Sequence, residues 1–174
     1  MSPLSIQLAR PPAVILAGGG TGGHVFPGVA LAEALRRRHP EARILFVGTD
    51  RPLEIRALAR AGFTHRVLPV EGIKNRGPWR QAAALGRLPL GLVRALGLIR
   101  EHRPDLVIGM GGYSAGPVAL GAWLTRIPVV LCEQNIVPGA TNRIAARFAR
   151  RLYTALPGTD FGKAAPKVRL TGNP

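Results

Sequence analysis

The stretch that decides the fold is AVILAGGGTGGHVFPGVALAEALRRR, Ala13 to Arg38. Its first five residues are apolar and too few for a helix, so they read as a buried strand. The run from Val25 to Arg38 has helical periodicity. Between them lie five glycines and one threonine, ending at His24. A strand, a glycine turn and a helix in that order open a parallel βαβ unit.

Working outward, the same alternation continues to the end of the chain. Strands are expected at Ala13–Ala17, Arg43–Gly48, His65–Val70, Asp105–Gly109, Pro128–Cys132 and Arg151–Ala155, with a last short one in KVRLTG (167–172). Helices are expected at Val25–Arg38, Arg51–Ala61, Trp79–Glu101 with a break near Pro89, Ser114–Thr125 and Ala140–Ala149. No internal repeat or low-complexity tract interrupts the pattern. The expected fold is a Rossmann-like, three-layer α/β domain with a parallel sheet. Its 174 residues suit one domain, since a chain of this size buries about 70% of its unfolded surface.

In a doubly wound sheet of order 3-2-1-4-5 the winding reverses between strands 1 and 4, and ligands bind beyond their carboxyl ends. Strand 1 runs into GGGTGGH (18–24), strand 4 into GMGGYSAGP (109–117) and strand 5 into EQNIVPGATN (133–142). Three glycine-rich or polar turns therefore converge on one cleft.

Glycines let a backbone approach a ligand closely, and a helix behind them points free N–H groups and about half a positive charge at it. A phosphate or diphosphate suits that place. Gly18, Gly20 and Gly23 also satisfy G-x-G-x-x-G. The acidic residue that a dinucleotide ribose needs is not at the end of strand 2, where Asp50 overshoots, and no G-K-[ST] follows for a Walker-A loop. His24 can take a proton at neutral pH, or it can simply pack at the helix start. Glu133 and Asn135 suit hydroxyl recognition on a sugar, or cap the following helix. Tyr113 and Ser114 are further candidate contacts, Ser114 being equally an N-cap. His39, His65 and His102 have no metal-ligand spacing and read as surface or helix-end residues.

The charge balance narrows the partners. Lys and Arg number 24 against 9 Asp and Glu, a formal charge of +15 with a pI near 11.8. That excess calls for an anionic partner, whether nucleic acid, an anionic membrane or a phosphorylated ligand. Aromatics are only 5% of residues and none interleave a basic stretch as in single-strand binders. Cys132 is the single cysteine, which excludes an internal disulfide and a cysteine zinc cluster. No run of about 18 apolar residues is present, and the first twenty residues lack the pattern of a signal peptide. The expected location is cytoplasmic. In the segment around residues 72–105, Leu85, Leu88, Leu92, Leu96 and Ile99 share one helical face. Arg80, Arg87 and Arg94 line the other, flanked by Trp79 and Leu90. With Lys74, Arg76, Arg143, Arg147 and Arg150, that second face is either a membrane-touching surface or a solvated charge stripe.

The motifs AGGGTGGHVFPGVALAEAL, PDLVIGMGGYSAGPVALGAWLTRIPVVLCEQNIVPGATNRIAARFA and the terminal TGNP, in that order, resemble the MurG family of peptidoglycan glycosyltransferases from about Ala13 to Pro174. The resemblance implies the N-terminal half of a GT-B fold, residues 1–174 being the acceptor- and membrane-binding domain without the C-terminal UDP-sugar domain. It implies an inverting transfer of GlcNAc from UDP-GlcNAc to the C4 hydroxyl of MurNAc in lipid I, giving lipid II, with no cofactor and no metal. It implies Gly18, Gly19, Gly20, Thr21, Gly22, Gly23, Gly111, Gly112, Tyr113, Ser114, Gln134 and Asn135 as substrate-binding residues and His24 and Glu133 as the candidate bases. Membrane docking falls on Lys74, Arg76, Trp79, Arg80, Arg87 and Trp123, with anionic inner-membrane lipids as partners, no nucleic acid, and a peripheral location on the cytoplasmic face. Cys132 stands where many members have histidine. Three alternatives stay open: the acceptor subunit of another lipid-linked-sugar transferase, a basic binding module for membrane or nucleic acid, and a nicotinamide-binding domain.

Overall fold

The computed structural model describes residues 10–70, 86 and 88–174. The readings on Lys74, Arg76, Trp79, Arg80, Leu85 and Arg87 lie outside the described residues. The strands are β1 (Ala13–Gly18), β2 (Arg43–Gly48), β3 (Thr64–Val67), β4 (Leu106–Gly111), β5 (Val129–Glu133), β6 (Arg151–Thr154) and β7 (Val168–Leu170). The helices are α1 (Gly22–Arg38), α2 (Pro52–Arg60), α3 (Leu88–His102), α4 (Ala115–Leu124) and α5 (Ala140–Ala145), with a 3-10 turn at Gly162–Lys167.

All seven strands run parallel in the order β3-β2-β1-β4-β5-β6-β7, which contains the expected 3-2-1-4-5. Alternate residues of a strand face opposite sides of a sheet. Ile15 and Ala17 thus join one core with Ala95 and Ile99 of α3 and with Val118 and Ala122 of α4. Val14 and Leu16 join the other with Ala32 of α1 and Leu58 of α2. Covered on both faces, β1 must be apolar throughout, which is why AVILA carries no alternation. Among the described residues no helix is long and apolar enough to cross a membrane.

Helix α5 ends at Ala145, short of the expected Ala149, and β3 at Val67, short of Val70; two further differences bear on the site. Helix α1 begins at Gly22 rather than Val25, because Thr21 is the N-cap and its carbonyl already accepts from the N–H groups of His24 and Val25. His24 is therefore inside the first turn. Strand β4 runs on to Gly111, and its pairing with β1 shifts after Ala17↔Gly109, so that Gly18 faces Gly111 and Met110 is the extra residue. This bulge ends the β1–β4 ladder at the mouth of the cleft.

Candidate functional site

The β1–α1 and β4–α4 turns pack directly on each other. A Cβ on Gly112 would meet the Gly19 carbonyl oxygen at 2.5 Å, and Gly112 also has φ +79°. A Cβ on Gly18 would lie 2.8 Å from the Gly111 carbonyl oxygen. Gly112 is thus a glycine because two backbones touch there, while Gly111 holds a left-handed backbone at φ +96°. Tyr113 lies beside Gly20, its ring 3.3 Å from where a Cβ would stand.

What the paired turns leave facing the cleft is the N-terminus of α1. Thr21 is exposed and makes no side-chain cap bond, so its hydroxyl is free to reach a ligand. Gly22 and Gly23 are the first helical residues, and their N–H groups have no partner within the helix. No acidic side chain stands in that first turn, so the helix dipole favours an anion at the glycine end.

His24 is half-buried, its Nδ1 3.3 Å from Gln134 Oε1 at the end of β5. With the Gln134 amide oxygen accepting from an Nδ1–H, the Nε2 lone pair of the neutral ring is left free. The ring also packs on Gly111, whose missing Cβ leaves room for it at 3.0 Å. Residues from all three turns therefore meet at His24.

Of the two roles expected of Glu133, hydroxyl recognition and capping the following helix, its contacts match the second. It is 3% exposed; Oε1 accepts from the backbone and side-chain amides of Asn135, and Oε2 from the Gly139 N–H and Asn142 Nδ2. Four donors at 2.9–3.0 Å saturate the carboxylate. It braces the loop leading to α5. Asn135 is exposed, with one N–H of its side-chain amide donated to Glu133. Ser114 is fully buried at the start of α4, with no cap bond and no hydrogen-bond partner among the described residues, so it does not line the cleft surface.

The sequence reading missed Glu54. This residue of α2 is 2% exposed and lies beneath the β1–α1 turn. Its Oε2 accepts from the Gly20 N–H at 3.1 Å and Thr49 Oγ1 at 2.7 Å; its Oε1 accepts from the Thr49 N–H at 2.9 Å. His65 Nε2 stands 3.4 Å from Oε1, which corrects the placing of His65 at the surface. Burial alone would raise the Glu54 pKa, but His65, both Thr49 groups and the Gly20 N–H together hold it below the ordinary carboxylate value. A signal for it existed. An acidic residue in the first turn of a helix opening with proline, after a strand ending in glycine, is well placed to turn back onto its neighbours.

Beside Tyr113 an apolar groove of about 610 Å³ opens between α3, α4 and α5, lined by Leu88, Pro89, Pro117, Ile144 and Phe148 among others. Trp123, at the end of α4, is half-exposed and stacks on Phe148 with ring centroids 5.4 Å apart.

Comparison with known proteins agrees with this architecture. Residues 14–154 match the glycosyltransferase family 28 N-terminal domain. A UDP-N-acetylglucosamine--N-acetylmuramyl-(pentapeptide) pyrophosphoryl-undecaprenol N-acetylglucosamine transferase from Syntrophus aciditrophicus is 50% identical over 163 residues, which cover 92% of this chain and 45% of the relative. One of the same name from Anaeromyxobacter sp. is 45% identical over 161 residues, covering 92% of this chain and 42% of the relative. The crystal structure of Acinetobacter baumannii MurG superimposes with a TM-score of 0.75 at 33% identity, covering 86% of this chain and 43% of that one. The chain thus spans somewhat under half the length of these relatives. It belongs to the glycosyltransferase family 28 N-terminal domain family.

Proposed function

We propose that this chain is the acceptor- and membrane-binding domain of a glycosyltransferase that moves GlcNAc from UDP-GlcNAc to the C4 hydroxyl of MurNAc in lipid I, forming lipid II. Its relatives carry the name of that reaction. The observation that carries the reading is the position of His24, in the first turn of α1 beside the anion-attracting end of the helix and oriented by Gln134. A diphosphate held at Thr21, Gly22 and Gly23 would bring the attached sugar within reach of the free Nε2. The nitrogen then takes the C4 proton as the hydroxyl attacks the donor sugar, and UDP leaves. The transfer itself needs the UDP-sugar site, which in a GT-B enzyme falls mainly to a second domain.

Membrane docking belongs to the α3–α4–α5 side. There the apolar groove, Trp123 and exposed Leu90, Val93 and Ile144 lie among Arg94, Arg143 and Arg147. Apolar side chains entering the interface and arginines on phosphates would hold the domain on the cytoplasmic face of the cell membrane as a peripheral protein.

Co-sedimentation with anionic vesicles, with and without lipid I and at moderate and high salt, tests both parts. Lipid I should give binding that survives high salt and is weakened by His24→Ala. Binding indifferent to lipid I and abolished by salt would reduce the chain to a basic docking surface.

A further inference from the structure

The charged group nearest the glycine turn is one that no recognised motif includes. Glu54 is clasped between backbones: a Cβ on Gly19 would lie 2.4 Å from its Oε2, and one on Gly48 only 1.5 Å from its Oε1. The carboxylate is therefore built into the floor of the turn, and the Gly20 N–H points down at it. An amide that donates into the floor cannot donate into the cleft.

We propose that Glu54 is a positioning residue of the acceptor site, resting on the reading above that the glycine turn holds a diphosphate. By taking the Gly20 N–H it orients the turn so that the Thr21, Gly22 and Gly23 amides face the anion. The diphosphate then sits over the first turn of α1, next to His24, and not over Gly18–Gly20. Thr49 supports the carboxylate with two donors, and His65 approaches it from β3. The turn after β2, helix α2 and strand β3 thus set the geometry of a site to which they contribute no ligand contact.

Electrostatics and geometry make opposite predictions for Glu54→Gln. Removing a negative charge beneath an anion site would by itself tighten anion binding. Glutamine, however, must turn its NH2 toward one of the donors that the carboxylate accepts from, and donor facing donor displaces the turn. Weaker binding can therefore come only from lost geometry.

The experiment is amide NMR of the 174-residue chain titrated with inorganic pyrophosphate at constant ionic strength, comparing the parent, Glu54→Gln and Thr49→Val. The parent should show shifts at Thr21, Gly22 and Gly23 with Gly20 little moved and slow to exchange with deuterium. Glu54→Gln should bind about tenfold more weakly, the loss of one charge-assisted contact, with fast exchange at Gly20. Thr49→Val, which deletes one hydroxyl and keeps the carboxylate, should fall between the two, and it decides the matter if Glu54→Gln does not fold. Unchanged or tighter binding in the variants, with the parent shifts present, would overturn the role of Glu54 and leave the diphosphate site standing. No shift at Thr21–Gly23 in the parent would overturn the site itself and the proposal with it.

Discussion

His24 Nδ1 and Gln134 Oε1 stand 3.3 Å apart although 110 residues separate them in the chain, joining the first turn of α1 to the end of β5. This contact selects the tautomer with a free Nε2. Long-range nitrogen–proton NMR of the neutral ring should therefore show the proton on Nδ1. Gln134→Leu should shift the population toward the Nε2–H form. A parent protein already in the Nε2–H form would remove the case for His24 as base.

His24 and Glu133 separate by how they fail. In this domain joined to the UDP-sugar half of a relative, His24→Ala should lower kcat by about a hundredfold or more while leaving the melting temperature nearly unchanged. Glu133→Gln leaves buried donors unmatched and should cost about 1–3 kcal/mol of stability, read by denaturant melts. Equal stability with a large kcat loss in Glu133→Gln would return it to the role of base.

The contact between the two glycine turns is measured by a pair of substitutions. Gly112 and Gly158 both have left-handed backbones, at φ +79° and +76°, but only at Gly112 does a Cβ meet another backbone. Gly158→Ala should cost about 1 kcal/mol, the strain alone. Gly112→Ala should cost clearly more in the same denaturant titration, and an equal loss would mean that the turns separate freely.

Glu54 should make the fold acid-sensitive. Its folded pKa lies below the ordinary value of 4.5, so the unfolded chain binds its proton more readily. The stability it contributes is complete above about pH 4.5 and disappears as pH falls through the folded pKa. Urea melts from pH 7 downward should show a decline starting near there. That decline should be shallower in Glu54→Gln, which starts about 1–3 kcal/mol less stable at neutral pH; parallel profiles would show that other carboxylates cause the loss.

Cys132 should be a slow nucleophile. Burial pushes its thiol pKa up from 9.0 to about 12, so at pH 8 its thiolate is about a thousandfold scarcer than that of an unperturbed thiol. Iodoacetamide labelling of the folded chain should be slow by a comparable factor and should accelerate on unfolding. Rapid labelling of the folded chain would show that the thiol is freely solvated.

The strand order and the convergence of three turns were legible because both depend on local patterns. AVILA, RILFVG and DLVIG are apolar runs punctuated by glycine, and alternation with helices forces a parallel sheet whose turns gather at one edge. The attraction of an anion to the end of α1 was equally local, since a helix start without acidic residues has one electrical sense. The assignment of roles within the site was not local. Whether Glu133 is a base or a brace depends on Asn135, Gly139 and Asn142 folding back around it. That Gly112 must admit Gly19 depends on how closely β1 and β4 approach. The link from Glu54 to the glycine turn was not local either: it lies 34 residues from Gly20 in sequence, and only the packing of α2 under the β1–α1 turn joins them. Sequence alone determined which backbone elements form and where their ends meet. Tertiary structure decided which polar groups are spent on one another and which remain for a ligand, because a hydrogen bond saturates its donor and only the fold determines who claims it first.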